Sequence, residues 1–381
     1  MFSIASWNYD RVSPIADGRI KPLGIEDVRV IHTDILESVE GMLSGKYDAG
    51  EFSLSIYIVT LFREKSPFIA IPVFTSRMFR HRSVFVRNES RIQHPSDLAG
   101  KKVGVPRFRQ TAGVWIRGIL SEEYGLPVSS VEYFQGAADN AGEPSESEMF
   151  GVPQGEIVPS TSTPGVIRLR FIEKNKTLSQ MLLDGEIDAI YSAEDPRAFV
   201  QKKARRLFTD YVREEKEYFR KTRIFPIMHL LVIKRNVYDN NPQIARDLYD
   251  AFLRAKEVAV RDMNQSWAHT TMLPWQEKHV TETRDIMGDD YWPYGIKANR
   301  KTLETFLKYS YDQGLIEEKE KTLGFVSAHP SGEKRYWSPG YSISISELEK
   351  IIENYGDACL DSIQRSHLRA RQRVSFEKSR R

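Results

Sequence analysis

The heptapeptide Leu43-Ser44-Gly45-Lys46-Tyr47-Asp48-Ala49 returns 140 residues later (183 − 43) as Leu183-Asp184-Gly185-Glu186-Ile187-Asp188-Ala189, with four of seven positions identical. Each copy follows an amphipathic stretch, Ile35, Val39, Met42 and Leu43 in the first and Leu178, Met181 and Leu182 in the second. That spacing is helical. The glycine stands where a helix closes on a left-handed residue, and a short strand follows. Helix-Gly-strand units are common, so the echo by itself is compatible with coincidence. Together with the rest of the chain it predicts two similar α/β lobes.

The chain of 381 residues is too long for one ordinary core and suits two domains plus extras. Further strands are expected at Phe68 to Phe74, Val84 to Val86, Val103 to Val105 and Ile227 to Ile233. Helices are expected at Thr111 to Tyr124 and from Pro242 to Met263, the latter with Asn241 as a candidate cap and proline at its first position. Residues 136–165 are rich in Gly, Pro, Ser and Glu and read as a loop. The strand at Ile227 returns the chain to the first lobe. Lobe one is therefore 1–96 plus 226–330, covered by helices after Arg300, and lobe two is 97–225. The chain crosses twice, and in such sheets ligands bind where strands end and the order switches. Residues 331–381 read as an appendage, with an amphipathic helix at Ser346 to Ala370 and a basic run from Arg365 to Arg381.

Several chemistries are excluded by what is missing. Basic residues number 55 against 52 acidic ones, so charge gives no argument for nucleic acid. The single cysteine, Cys359, rules out an internal disulfide and a cysteine-pair zinc site. No Gly-x-Gly-x-x-Gly, Walker loop, His-Glu-x-x-His or Gly-x-Ser-x-Gly is present. No stretch is long and apolar enough to span a membrane, and the start Met1-Phe2-Ser3-Ile4 does not read as a signal peptide, so a cytoplasmic protein is expected.

Polar residues at strand ends and helix starts remain. Tyr9-Asp10-Arg11 follows the first strand, and Glu51 and Ser53 end the first repeat strand. Arg77, Arg80, His81 and Arg82 lie between two apolar strands. Gln110 and Thr111 open a helix whose free amides favour an anion, and Ser192 follows the second repeat strand. His229 interrupts the apolar run Ile227-Met228-His229-Leu230-Leu231, with Ile227 and Leu231 on its own face by the period of two. Each has a plain structural alternative: a hydrogen-bonded core histidine, a solvated arginine turn, a capping carboxylate. Their combination points to a small anionic ligand. His81, His229 and Glu51 could also compose a metal site, though their spacing does not demand one.

At these residues the chain resembles the 4,5-dihydroxyphthalate decarboxylases, which share the type 2 periplasmic-binding-protein-like fold. The resemblance runs from Trp7 to Phe325. It includes Tyr9-Asp10-Arg11, Glu51-Phe52-Ser53-Leu54-Ser55, Phe79-Arg80-His81, Ile224-Phe225-Pro226-Ile227-Met228-His229 and Met287-Gly288-Asp289-Asp290-Tyr291-Trp292-Pro293-Tyr294-Gly295. The pieces around His229 and Trp292 are the specific ones; Lys101-Lys102-Val103-Gly104 is generic to the fold. The loop 143–163 and the tail after Pro330 look additional, which leaves the ring substituents open.

The resemblance implies non-oxidative decarboxylation of a dihydroxylated aromatic dicarboxylate, with a ring hydroxyl as electron source. No nucleotide or pyridoxal signature is present and such a substrate carries its own electron sink, so no organic cofactor is expected; a divalent metal stays open, and a homo-oligomer is expected. On this reading Arg11, Arg80 and Arg82 clamp carboxylates. Ser53, Arg77, Gln110, Thr111, Ser192 and Trp292 also contact substrate. Glu51 or Asp10 takes the phenol proton, and His81 or His229 gives a proton to carbon. The alternatives are a solute-binding or sensing protein without turnover, and an enzyme of related fold acting on another hydroxylated acid.

Overall fold

Two mixed sheets carry the chain. The computed structural model describes residues 1–61, 66–141, 155–157 and 165–316. The tail after Pro330, with its expected helix, basic run and Cys359, lies outside these residues, as does most of the 143–163 loop.

The first sheet has the order β2-β1-β3-β12-β4. Here β1 is Phe2–Ser6, β2 Val28–His32, β3 Ala49–Ser53, β4 Phe68–Arg77 and β12 Ile227–Lys234. β1 runs parallel to β2 and β3, while β12 lies antiparallel between β3 and β4. The second sheet has the order β11-β5-β10-β6-β7-β9-β8. Its strands are β5 Val84–Arg87, β6 Lys102–Val105, β7 Glu132–Gln135, β8 Gly155–Ile157, β9 Ile167–Phe171, β10 Ala189–Tyr191 and β11 Ala204–Arg206. The chain leaves the first sheet after β4 and returns to it at β12. Two α/β sheets joined by two crossings are the arrangement expected of the type 2 periplasmic-binding-protein-like fold.

The duplicated heptapeptide marks the same unit once in each sheet. Helix Ile35–Leu43 ends at Gly45 with φ +78° and leads into β3, which runs parallel to β1. Helix Leu178–Asp184 ends at Gly185 with φ +75° and leads into β10, parallel to β6. Both glycines occupy the left-handed region that a side chain resists.

Four details differ from the sequence expectation. β5 pairs antiparallel with β10 and β11, so Val84–Arg87 stands in the second sheet and the first crossing precedes it, ahead of residue 96. An apolar run of four looks the same whichever sheet it joins. The expected loop 136–165 contains β8, which pairs with β9. Asn241 ends the helix Arg235–Asn240 instead of capping the next one, whose N-cap is Pro242. Helix Arg300–Asp312 packs on helix Thr111–Tyr124: Trp115 meets Phe306 at 5.3 Å, and the Gly118 backbone abuts the Tyr309 ring. Among the described residues no helix is long and apolar enough to cross a membrane.

Candidate active site

β3 is buried along its whole length between β1 and β12, yet its central residue is Glu51, 1% exposed. A bare carboxylate there would be prohibitively costly, so it must be hydrogen-bonded. Glu51 Oε1 accepts from the Tyr9 hydroxyl at 2.8 Å and pairs with His229 Nδ1 at 2.7 Å. Oε2 accepts the Trp7 amide at 3.1 Å and the Ser6 hydroxyl at 3.4 Å. Burial pushes this carboxyl up, but the His229 bond and charge with the other donors outweigh it and hold Glu51 below the usual carboxylate range.

Strand register explains the pairing. β12 aligns Leu231 with Glu51 and His229 with Ser53, which makes Glu51 and His229 diagonal neighbours on one face. The β12–β4 ladder is irregular on both sides of His229, so the simple alternation expected for Ile227, His229 and Leu231 is interrupted there. The His229 side chain is 20% exposed. An ionised Glu51 can only accept, so the proton on that side resides on Nδ1 and leaves Nε2 as the working nitrogen. His229 is thus neither a sealed core histidine nor a free surface one.

Around this pair the loop after β1 sets a stacked cation. The Arg11 guanidinium lies 4.0 Å from the Tyr9 ring and 4.2 Å from that of Trp292. It donates from Nε to the Thr75 carbonyl at 2.8 Å and from Nη1 to Asp10 at 3.0 Å. Trp292 is held in turn, its indole N–H on the Phe74 carbonyl at 2.9 Å. Asp10, 50% exposed, serves Arg11 and is not a member of the Glu51 cluster. It stands as a partner of that cation, apart from the hydrogen bonds that hold Glu51.

The four residues at the first crossing separate into different environments. Arg77 is buried, and its donors go to the Phe225 carbonyl at 3.0 Å, the Pro293 carbonyl at 2.7 Å and Asn299 Oδ1. Burial lowers it to about 9. Those bonds through Nη1 and Nη2 make Arg77 an anchor for the Trp292 loop, with its buried Nε unpartnered. Lys256, which sequence patterning did not single out, holds the same loop through Asp290 at 2.8 Å and the Trp292 carbonyl at 3.1 Å.

His81 is 2% exposed, ringed by Tyr218 at 5.3 Å, Phe208 at 5.4 Å and Tyr124 at 6.0 Å. Burial pushes it down to about 4, so it is neutral at working pH. Among the described residues no hydrogen bond or ring contact joins it to Glu51 or His229, so the structure does not bring His81 together with those two, either as a proton donor beside them or as the expected metal set. Among the described residues no group of three or more His, Cys, Asp or Glu is placed to hold a metal.

Arg82 is partly exposed and stands 3.6 Å from Asp195, an acid it shares with Arg206 at 2.7 Å. A carboxylate is already at hand, which weakens its case as a clamp. Arg80 differs. It is 7% exposed, donates to Met228 Sδ at 3.2 Å and weakly to the Ala193 carbonyl at 3.5 Å, and forms no ion pair among the described residues. Burial, with the Arg82 charge beside it, lowers it to about 10, so it remains a cation.

Among the remaining candidates, Ser53 and Thr111 meet directly. The Ser53 and Thr111 hydroxyls share a hydrogen bond of 2.9 Å, and the Ser55 amide donates to Thr111 Oγ1 at 3.1 Å. This ties the end of β3 to the start of helix Thr111–Tyr124. Gln110 is that helix's N-cap but offers no side-chain cap bond. Ser192 is buried, its hydroxyl accepting the Glu194 amide at 3.2 Å. An open depression lined by Arg87, Asn88, Gln180, Asp184 and Lys202 lies elsewhere and holds no histidine.

No family model matches the chain. It is 33% identical over 315 residues, 82% of its length and 92% of the relative's, to the 4,5-dihydroxyphthalate decarboxylase of Comamonas testosteroni. It is 35% identical over 199 residues, 52% of this chain and 72% of the relative, to the enzyme of that name from Pseudomonas putida. Among solved structures, the periplasmic aliphatic sulphonate binding protein SsuA of Escherichia coli superposes with a TM-score of 0.45 at 12% identity, covering 84% of this chain and 94% of its own. A protein from Archaeoglobus fulgidus gives 0.47 at 12%, covering 82% and 98%.

Proposed function

The chain belongs to the 4,5-dihydroxyphthalate decarboxylase family, and on that premise we propose that it releases carbon dioxide from 4,5-dihydroxyphthalate or a close ortho-dihydroxy dicarboxylate, leaving a dihydroxybenzoate. One observation carries the chemistry: a histidine with one nitrogen fixed on a buried, ionised carboxylate and the ring partly exposed. Arg80, bonded to Met228, the residue before His229 in β12, supplies a buried cation that forms no ion pair among the described residues and feels the Glu215 charge only through space.

Loss of carbon dioxide leaves an electron pair on a ring carbon. The substrate can prepare for this itself. A hydroxyl para to the departing carboxylate pushes density to that carbon, which accepts a proton from His229 Nε2 while the hydroxyl's proton passes to water. The bond to the carboxylate then breaks, its pair restores the aromatic ring, and the para oxygen takes a proton back. One proton is consumed and one carbon dioxide leaves. Arg80 holds the retained carboxylate, and the departing one stays unpaired, which favours its exit as a neutral molecule. Glu51 already accepts four donors, so its role is to orient His229 and stabilise its cation, not to take the phenol proton. Because the ring supplies its own electron path, turnover needs no organic cofactor. A flavin or pyridoxal phosphate whose removal abolishes turnover and whose return restores it would reverse that point.

The test is incubation with 4,5-dihydroxyphthalate, following carbon dioxide and dihydroxybenzoate together. His229→Gln should cost roughly 100-fold or more in rate with fold and ligand affinity kept. Tight binding with no carbon dioxide from any ortho-dihydroxy dicarboxylate would leave a binding protein and sink the proposal.

A further inference from the structure

Tyr9 touches both halves of the site. Its hydroxyl donates to Glu51 Oε1, the oxygen that also meets His229 Nδ1. Its ring lies against the Arg11 guanidinium. Ser76, the β4 register partner of His229, lies within bonding reach of the same hydroxyl. Burial, then the neighbouring Glu51 charge, raises the Tyr9 phenol far above neutrality, so it serves as a donor and not as an ionising group.

A carboxylate oxygen has limited charge to share. Each hydrogen bond it accepts weakens its attraction for the next donor. Oε2 is engaged by the Trp7 amide and the Ser6 hydroxyl, so Oε1 is where the hold on His229 is set. Tyr9 from the β1 loop and His229 from β12 meet this oxygen, while Arg11 stacks on the Tyr9 ring and the neutral Ser76 from β4 bonds the Tyr9 hydroxyl.

We propose that Tyr9 is a positioning residue for the proton transfer: by sharing Glu51 Oε1 with His229 it loosens the carboxylate's grip on the imidazolium and makes Nε2–H a readier donor. The inference rests on the reading of His229 as the proton carrier. It also adds a function to the β1 loop, because the ring that tunes the histidine supports the Arg11 cation.

The sign follows. Tyr9→Phe keeps the ring under Arg11 and deletes only the hydroxyl. Glu51 then holds the imidazolium more strongly, so the His229 ring titrates at higher pH than in the parent protein, by about half a pH unit or more. Turnover falls roughly 3- to 10-fold with KM nearly unchanged, because the substrate contacts remain. In a Glu51→Gln background the same change has no further effect on the titration, since the shared charge is gone.

The experiment is NMR titration of the histidine ring signals in the full chain without substrate, with His229 assigned by His229→Gln. A fluorinated tyrosine at position 9, a stronger donor of nearly the same size, should move the titration the other way and covers the case in which Tyr9→Phe does not fold. An unmoved His229 signal in the folded Tyr9→Phe protein overturns the inference. So does an equal displacement in the Glu51→Gln background. Because the readout requires no turnover, failure of the decarboxylase reading and failure of this one are separately visible.

Discussion

Replacing Arg80 by methionine should make the protein more stable and worse at binding its substrate. The guanidinium is 7% exposed, forms no ion pair among the described residues although the Glu215 charge acts on it, and is held at about 10 against an ordinary value of 12.5. At 1.36 kcal/mol per pH unit this depression is worth roughly 3 kcal/mol against the buried cation. Methionine fills a similar volume, and the bonds to Met228 Sδ and the Ala193 carbonyl are weak ones to lose. After allowing for them, Arg80→Met should stabilise the ligand-free fold by roughly 1–2 kcal/mol, visible as a midpoint higher by a few degrees. Substrate binding runs the other way. Losing a desolvated guanidinium–carboxylate contact costs roughly 2–4 kcal/mol, about 30- to 1000-fold in Kd. Calorimetry on the free protein and titration with an unreactive phthalate answer both halves. A destabilised protein with unchanged affinity would show that Arg80 is a packing residue, as Arg77 is.

Two further outcomes concern pH. Burial lowers His81 to about 4 from 6.5, so below 6.5 the unfolded chain binds a proton that the native one refuses; stability is lost as pH falls from 6.5 to 4. His81→Phe should remove roughly 2–3 kcal/mol of that loss while leaving turnover near normal, as read by denaturant melts across the range and an activity assay; a collapse of activity in the folded variant would return His81 to the site. Glu215 behaves oppositely. Burial raises it to about 7 from 4.5 against the Arg82 amide and the charges of Arg82, Arg80 and Arg206, so its penalty is absent below 4.5 and complete above 7. Glu215→Gln should therefore stabilise the protein by roughly 1–3 kcal/mol at pH 8 and little at pH 5, and an equal effect at both pH values would contradict the assignment.

Much of the frame was legible because it depends on local pattern. The echo at Gly45 and Gly185 is visible because both glycines meet the same left-handed requirement. Helix Thr111–Tyr124 has the expected bounds because its apolar positions recur at helical spacing and Gly125, at φ +67°, closes it. His229 stood out because β12 is buried from both sides and reads as a continuous apolar run. The illegible part was the assignment of partners. Tyr9 and Glu51 are 42 residues apart, and Glu51 and His229 178. Only the sheet order β1-β3-β12 makes them neighbours. Arg77, Arg80 and Arg82 look equivalent along the chain, but the bend after β4 points one at backbone carbonyls, one into a buried position without an acid, and one toward Asp195. The environment of His81 comes from Tyr124, Phe208 and Tyr218, distant residues whose convergence no local pattern records.

Two buried charges, Glu51 and Arg80, differ in how completely they are satisfied, and that difference divides the roles proposed for them. Glu51 has four donors on two oxygens. A group so engaged cannot take up a substrate proton without losing bonds worth more than the proton transfer would gain. It can, however, hold an imidazole in one tautomer through every cycle. Arg80 carries a full charge hydrogen-bonded only to one sulfur and one distant carbonyl, with the Glu215 charge acting on it through space and no ion pair among the described residues. Burying such a group lowers stability unless an anion arrives, and folds retain that kind of cost mainly where a ligand offsets it. The satisfied carboxylate fits a fixed support, and the unsatisfied guanidinium fits a contact completed by substrate. His229, bonded to that carboxylate through Nδ1 and partly exposed, is left as the group that passes a proton to the substrate on the proposed mechanism.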